Sequence, residues 1–128
     1  MGQQQLLLIV LGVIIVGIAV VVGINVFTAS SSQANRDAVI SDLTNLASLS
    51  QQYYRKPSAL GGGNNTFTGW TIPGTLDTTG NGTYAATIAA QSVTLVGTGN
   101  ETGNNGTSKV KVTMVVGPNA ITSTTINN

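Results

Sequence analysis

With 128 residues the chain has material for one small domain and one further element, not for two independent cores. Only 7% of it is charged while 41% is apolar, so Thr, Asn, Ser, Gln and Gly supply its polarity. The net charge of +1 rests on Arg36, Arg55, Lys56, Lys109 and Lys111, too few and too scattered for a phosphate-binding patch, which argues against nucleic acid as a partner. The chain has neither Cys nor His, which excludes disulfides and thiolate metal sites and removes the commonest general base; no enzyme activity and no cofactor are expected.

From Leu6 to Ile24 the sequence LLLIVLGVIIVGIAVVVGI contains no polar side chain. At about 1.5 Å per residue it covers roughly the 30 Å of a bilayer core. The run is longer than the h-region of a cleaved signal peptide, and Met-Gly-Gln-Gln-Gln before it is not a basic n-region. The first charged side chain is Arg36, so no nearby cation sets its orientation. Ala19 and Gly23 form a small-xxx-small pair that lets helices approach closely, although small residues scattered through an apolar run read equally well.

The apolar run passes into an amphipathic pattern of Ala34, Ala38, Val39, Ile40, Leu43, Leu46, Leu49 and Tyr53, and the helix is expected to continue to about Tyr54. Arg55 and Lys56 suit the negative end of the helix dipole, and Pro57 with Gly61-Gly62-Gly63 stops it. A helix of about 54 residues is roughly 80 Å long, more than so small a globule can bury. Its first half is therefore expected to lie in lipid or against copies of itself. Asp37 and Asp42, five apart, fall on different parts of the helix surface and read as solvated groups beside Arg36 rather than as an acid/base pair. Ser30-Ser31-Ser32 lacks any partner base for nucleophilic catalysis.

Beyond the linker the period becomes two. Val110, Val112, Met114 and Val116 alternate with Lys109, Lys111 and Thr113 as a half-buried strand. Tyr84, Ala86, Ile88 and Ala90 form a second, which Val93 and Leu95 continue if a bulge near Gln91 shifts the parity. Phe67–Ile72 and Ala120–Ile126 are weaker strands. Pro73-Gly74, Gly80-Asn81-Gly82, Gly97 to Gly106 and Gly117-Pro118-Asn119 read as turns. The fold class is α+β: a long N-terminal helix, its apolar half protruding, packs through its C-terminal half on a small antiparallel sheet of three to five strands, with Trp70, Tyr84 and Met114 filling the core. The expected divisions are a helix at 1–56 (6–27 apolar, 28–56 amphipathic), a Gly/Asn linker at 57–66 and the sheet domain at 67–128.

Residues 1–56 resemble the type IV pilin superfamily. The resemblance rests on Gln5-Leu6-Leu7-Leu8-Ile9-Val10-Leu11-Gly12, a polar fifth residue followed by an aliphatic run with glycines. It implies a filament subunit for adhesion, motility or cell contact, drawn from the inner or cytoplasmic membrane to the cell surface and packed against identical subunits. It also implies processing by a prepilin peptidase, methylation of the new N-terminus and a dedicated assembly machinery. Leu6, Leu7, Leu8, Ile9, Val13, Ile14, Val20 and Phe27 then form the filament core. Two registers fit. Met1 as the processed N-terminus puts Gln5 where bacterial pilins usually carry glutamate, whereas a cut after Gly2 makes Gln3 the first residue; the first is preferred because no basic leader precedes the run. The chain departs from bacterial pilins in its neutral Gln5, in having no proline midway along the helix, and in lacking a disulfide loop; its Thr/Asn/Gly-rich sheet looks more like archaeal or thermophile pilins and archaellins. A pseudopilin of a secretion system shares this fold, and a single-span anchor carrying a binding module is the alternative from another class.

Four sequons, at Asn64, Asn81, Asn100 and Asn105, fall in expected loops and are candidates for N-glycosylation, which would solubilise a surface with few charges. Asp77 with Asn81, and Glu101 with Asn100 and Asn104, offer oxygen ligands of the kind calcium takes, but read more simply as solvated turns.

Overall fold

A computed structural model describes residues 2–128. The chain divides into two compact units, Met1–Ser31 and Ser32–Asn128. One helix, α1, runs unbroken from Gln3 to Arg55. It has no proline, and its glycines are isolated among residues that tolerate helix, so each lowers its stability only modestly. Gly2, at φ +75°, precedes it and accepts from Leu6 N–H at 3.0 Å.

The helix end is closed by the segment that follows it. Residues 58–60 form a single 3-10 turn after Pro57, and Gly61 takes a left-handed conformation at φ +82°. The chain then folds back so that Gly63, Asn64 and Asn65 donate their N–H groups to the carbonyls of Tyr53, Lys56 and Tyr54. These are the terminal carbonyls that a helix leaves without internal partners. Asn64 and Asn65 reach them with φ of 51° and 64°, a region asparagine tolerates better than most residues.

The sheet has five strands in the order of the sequence: β1 (Thr78–Thr79), β2 (Gly82–Ile88), β3 (Val93–Thr102), β4 (Lys109–Val116) and β5 (Ile121–Ile126), all antiparallel. The alternation expected in β4 is realised, since Val110, Val112, Met114 and Val116 are all buried. They meet Val93 and Leu95 of β3 and one face of α1 formed by Val39, Leu43, Leu46 and Ala47. Trp70 and Tyr84 are buried in the same core. Phe67 is also buried there, with Tyr54 at a ring-centroid distance of 4.8 Å.

Four local expectations change. Phe67–Ile72 is not a strand: Phe67 N–H donates to Ala90 O, Trp70 N–H closes a turn on Phe67 O, and Gly69 sits at φ +92°. The two aromatics plug the core instead of alternating across a sheet. The parity change near Gln91 is a hairpin turn rather than a bulge, because Ile88 pairs with Val93 and Ala89 N–H donates to Ser92 O at 2.8 Å. Gly97–Thr102 belongs to β3, and the turn is confined to Gly103–Ser108. On α1 the buried stripe includes Arg36, Ala47 and Ser50, whereas Ala34 is exposed. Ser50 is accommodated because its hydroxyl donates to Ala47 O at 2.7 Å, so its own polar atom is satisfied.

Candidate assembly surface

Every residue from Gly2 to Ser30 is exposed. The expected core-forming side chains Leu6, Leu7, Leu8, Ile9, Val13, Ile14, Val20 and Phe27 all retain more than half of their accessible surface, and Phe27 retains 74%. The first side chain after them with a hydroxyl, Thr28, satisfies itself by donating to Ile24 O at 2.9 Å. A helix apolar on every side is stable only when something apolar surrounds it. The span is long and apolar enough to cross a membrane, and none of that window is buried by its own chain. Gly12, Gly17 and Gly23 have open space where a side chain would project, so a neighbouring helix can approach the backbone there. Gln3 and Gln5 lie in the first turn of α1 and Gly2 just before it, while Met1 lies outside the described residues.

In the second unit, each of the four hairpin turns is hydrogen-bonded to a side chain of α1. Asn35 Nδ2 donates to Asn81 O in the β1–β2 turn at 2.9 Å. Arg36 Nη2 donates to Asn104 Oδ1 in the β3–β4 turn at 2.8 Å. Tyr54 Oη donates to Gln91 Oε1 in the β2–β3 turn at 2.9 Å. Gln51 Nε2 donates to Gly117 O and Arg55 Nη2 to Asn119 Oδ1 in the β4–β5 turn, both at 3.1 Å. The helix face from Asn35 to Arg55 therefore carries both the apolar stripe and a clasp for each end of the sheet.

Asp42 is not the solvated group its spacing suggests. Its Oδ2 accepts from Tyr84 Oη at 2.5 Å, Thr79 Oγ1 at 3.0 Å and Asn81 Nδ2 at 3.1 Å. Burial by itself raises the Asp42 carboxyl, but the bonds from Tyr84, Asn81 and Thr79 outweigh it and hold the group below its ordinary 3.8. Burial, reinforced by Asp42, pushes the Tyr84 hydroxyl well above its ordinary value. Asp37 instead stays exposed and accepts from Gln33 Nε2.

Arg36 is buried to 6% exposure with neutral partners only, Gln33 Oε1 and Asn104 Oδ1, and its Nε has no partner. No sequence signal marked it or Asp42, because Asn104 and Tyr84 lie 68 and 42 residues further along the chain. Among the described residues no group of three His, Cys, Asp or Glu side chains converges on a metal position. The four sequon asparagines fall in different settings. Asn64 and Asn105 are exposed, Asn81 is half-buried against Asp42, and Asn100 lies within β3 rather than in a loop. The outer strand β5 is exposed along its whole length, and its Ser and Thr content keeps that edge polar between Ile121 and Ile126.

Comparison with protein families, with curated proteins and with solved structures returned no match.

Proposed function

We propose that the chain is the structural subunit of an extracellular filament of the type IV pilin kind. In this reading residues 6–27 pass from a membrane into a bundle of identical helices, and residues 32–128 form the outer sheath. The observation that carries the reading is the uncovered apolar helix beside a sealed core: Leu6–Phe27 is exposed throughout, while Val39, Leu43, Val93, Leu95 and Val110 are fully buried. At about 25 cal/mol per Å² of apolar surface removed from water, covering such a segment outweighs any polar contact the chain can make with a partner. The neutral Gln5 leaves hydrophobic packing, rather than an ion pair with a neighbour's terminal amine, to set the register. Adhesion, motility and cell contact are the roles such a filament serves, with a prepilin peptidase and an assembly machinery as its partners in the membrane.

A membrane anchor would use the same apolar span without polymerising. The experiment that separates the two is electron microscopy of the full-length chain after detergent removal and of material sheared from its cells. Long fibres of uniform diameter are expected. Chains that stay as single membrane-inserted copies under both conditions would overturn the proposal in favour of the anchor.

A further inference from the structure

The four sequons are chemically equivalent in sequence, but the fold uses their asparagines differently. Asn81 commits its Nδ2 to Asp42 Oδ2 at 3.1 Å, and Asn100 commits its Nδ2 to Gly80 O at 2.9 Å. Both bonds fasten the β1–β2 hairpin, one to the helix and one to the neighbouring strand. A sugar on either nitrogen removes one of its two hydrogens and sets bulk against that junction. Asn64 is exposed, but the hydroxyl of its sequon threonine, Thr66, is half-buried and engaged with Thr68 Oγ1 and Ala90 O.

Asn105 is the exception. It is exposed in the turn between β3 and β4, and its Oδ1 accepts from Thr107 N–H at 2.9 Å, Ser108 N–H at 2.8 Å and Asn128 Nδ2 at 3.2 Å. Those three bonds fix the carbonyl end of the amide. The Nδ2 end has no partner among the described residues, and the hydroxyl of the exposed Thr107 is likewise unengaged. Gly106 supplies the φ of +75° that the turn needs. Acceptor nitrogen and sequon hydroxyl are thus both presented to solvent, on a turn held rigid from within.

We propose that Asn105 is the acceptor of an N-linked glycan, and that Asn81 and Asn100 are structural amides that stay unmodified. The donor is a glycan joined through its anomeric carbon to a lipid phosphate. The Asn105 Nδ2 forms the new bond to that carbon, the carbon–oxygen bond to the phosphate breaks with its electron pair leaving on the phosphate oxygen, and the proton lost from Nδ2 passes to the phosphate. No oxidant or metal redox change is involved. The step requires that residues 32–128 reach the compartment holding the donor and its transferase. It does not require polymerisation, so its outcome is independent of the fibre test.

The test is intact-mass measurement and glycopeptide mapping of the full chain purified from its own cells. A mass above that of the bare polypeptide is expected, with the sugar on the peptide containing Asn105 and with Asn81 and Asn100 bare. Thr107→Ala should abolish the increment at Asn105 while keeping all three hydrogen bonds accepted by its Oδ1, and Thr107→Ser should restore it. An unmodified Asn105, a glycan on Asn81 or Asn100, or an increment at Asn105 that survives Thr107→Ala would overturn the proposal.

Discussion

The Tyr84 hydroxyl on β2 donates to the Asp42 carboxylate on α1 at 2.5 Å, joining the middle of the amphipathic helix to a strand 42 residues away in sequence. Each partner favours the other's native protonation state. A carboxylate held below its ordinary pKa stabilises the fold fully above the unfolded value of 3.8, and that contribution is lost as pH falls through the folded value. A hydroxyl held above its ordinary 10.0 stabilises the fold below that value and loses its contribution as pH rises toward the folded one. Urea midpoints of the full chain in micelles should therefore stay level from about pH 5 to about pH 9 and fall on both sides. Asp42→Asn should flatten the acid limb; an unchanged acid limb in that variant would show that other carboxyls govern it.

Removing one partner separates the bond from its pH dependence. Tyr84→Phe keeps the ring in the core and deletes the donor, leaving Asp42 with Thr79 and Asn81. Because the carboxylate keeps these donors and some contact with water, the loss should be about 1–2 kcal/mol rather than the full cost of an orphaned charge. Denaturant titration of the two proteins at neutral pH gives the difference directly.

Gly97 tests how closely the helix lies on the sheet. A Cβ there would come within 2.6 Å of Val39 Cγ1 and 3.0 Å of the Tyr84 ring, so Gly97→Ala should cost about 1–3 kcal/mol through overpacking. Gly80 in the β1–β2 turn has open space for 4 Å where a Cβ would project, and Gly80→Ala should be nearly neutral. Equal effects of the two substitutions, measured by thermal unfolding, would rule out the close approach.

A core truncation gives the scale for these values. Leu43 is fully buried between helix and sheet, and Leu43→Ala should destabilise by about 2–5 kcal/mol.

Val13 and Val20 lie in the apolar half of α1 and are exposed. If other helices cover them, Val13→Asp or Val20→Asp places a charge in an apolar bundle and should eliminate fibres. The near-ultraviolet circular dichroism of Trp70 and Tyr84 should remain that of the folded sheet. Fibres at normal yield from either variant would be incompatible with a helical core.

The legible parts of the fold were those in which one period ran without interruption. The apolar run, the stop at Pro57 and the alternation of β4 were read from single-residue spacing because tertiary structure imposes nothing contrary there. Glycine misled at Gly97 and Gly99, where it does not turn the chain but clears space for Val39 and Asn35 on the helix above. The reverse occurred at Ala89–Ser92, a tight turn without glycine or proline, which read as a continuing strand with a bulge. The exposed apolar half of α1 follows from the uninterrupted apolar run alone. The Asp42 and Arg36 contacts do not, since each joins residues that only the folded sheet brings together.

The strand order has a kinetic corollary. Every strand pairs with its immediate predecessor in the chain, so the sheet can zip hairpin by hairpin, each step closing a short loop at little entropic cost. The expensive closures are those of the helix onto the finished sheet, such as Ser32 to Thr102 across 70 residues. Loop closure thus places its largest entropic cost on docking the helix, and side chains such as Asn35 and Arg36 are expected to act late, as latches on an assembled sheet; substitutions there should speed unfolding more than they slow folding.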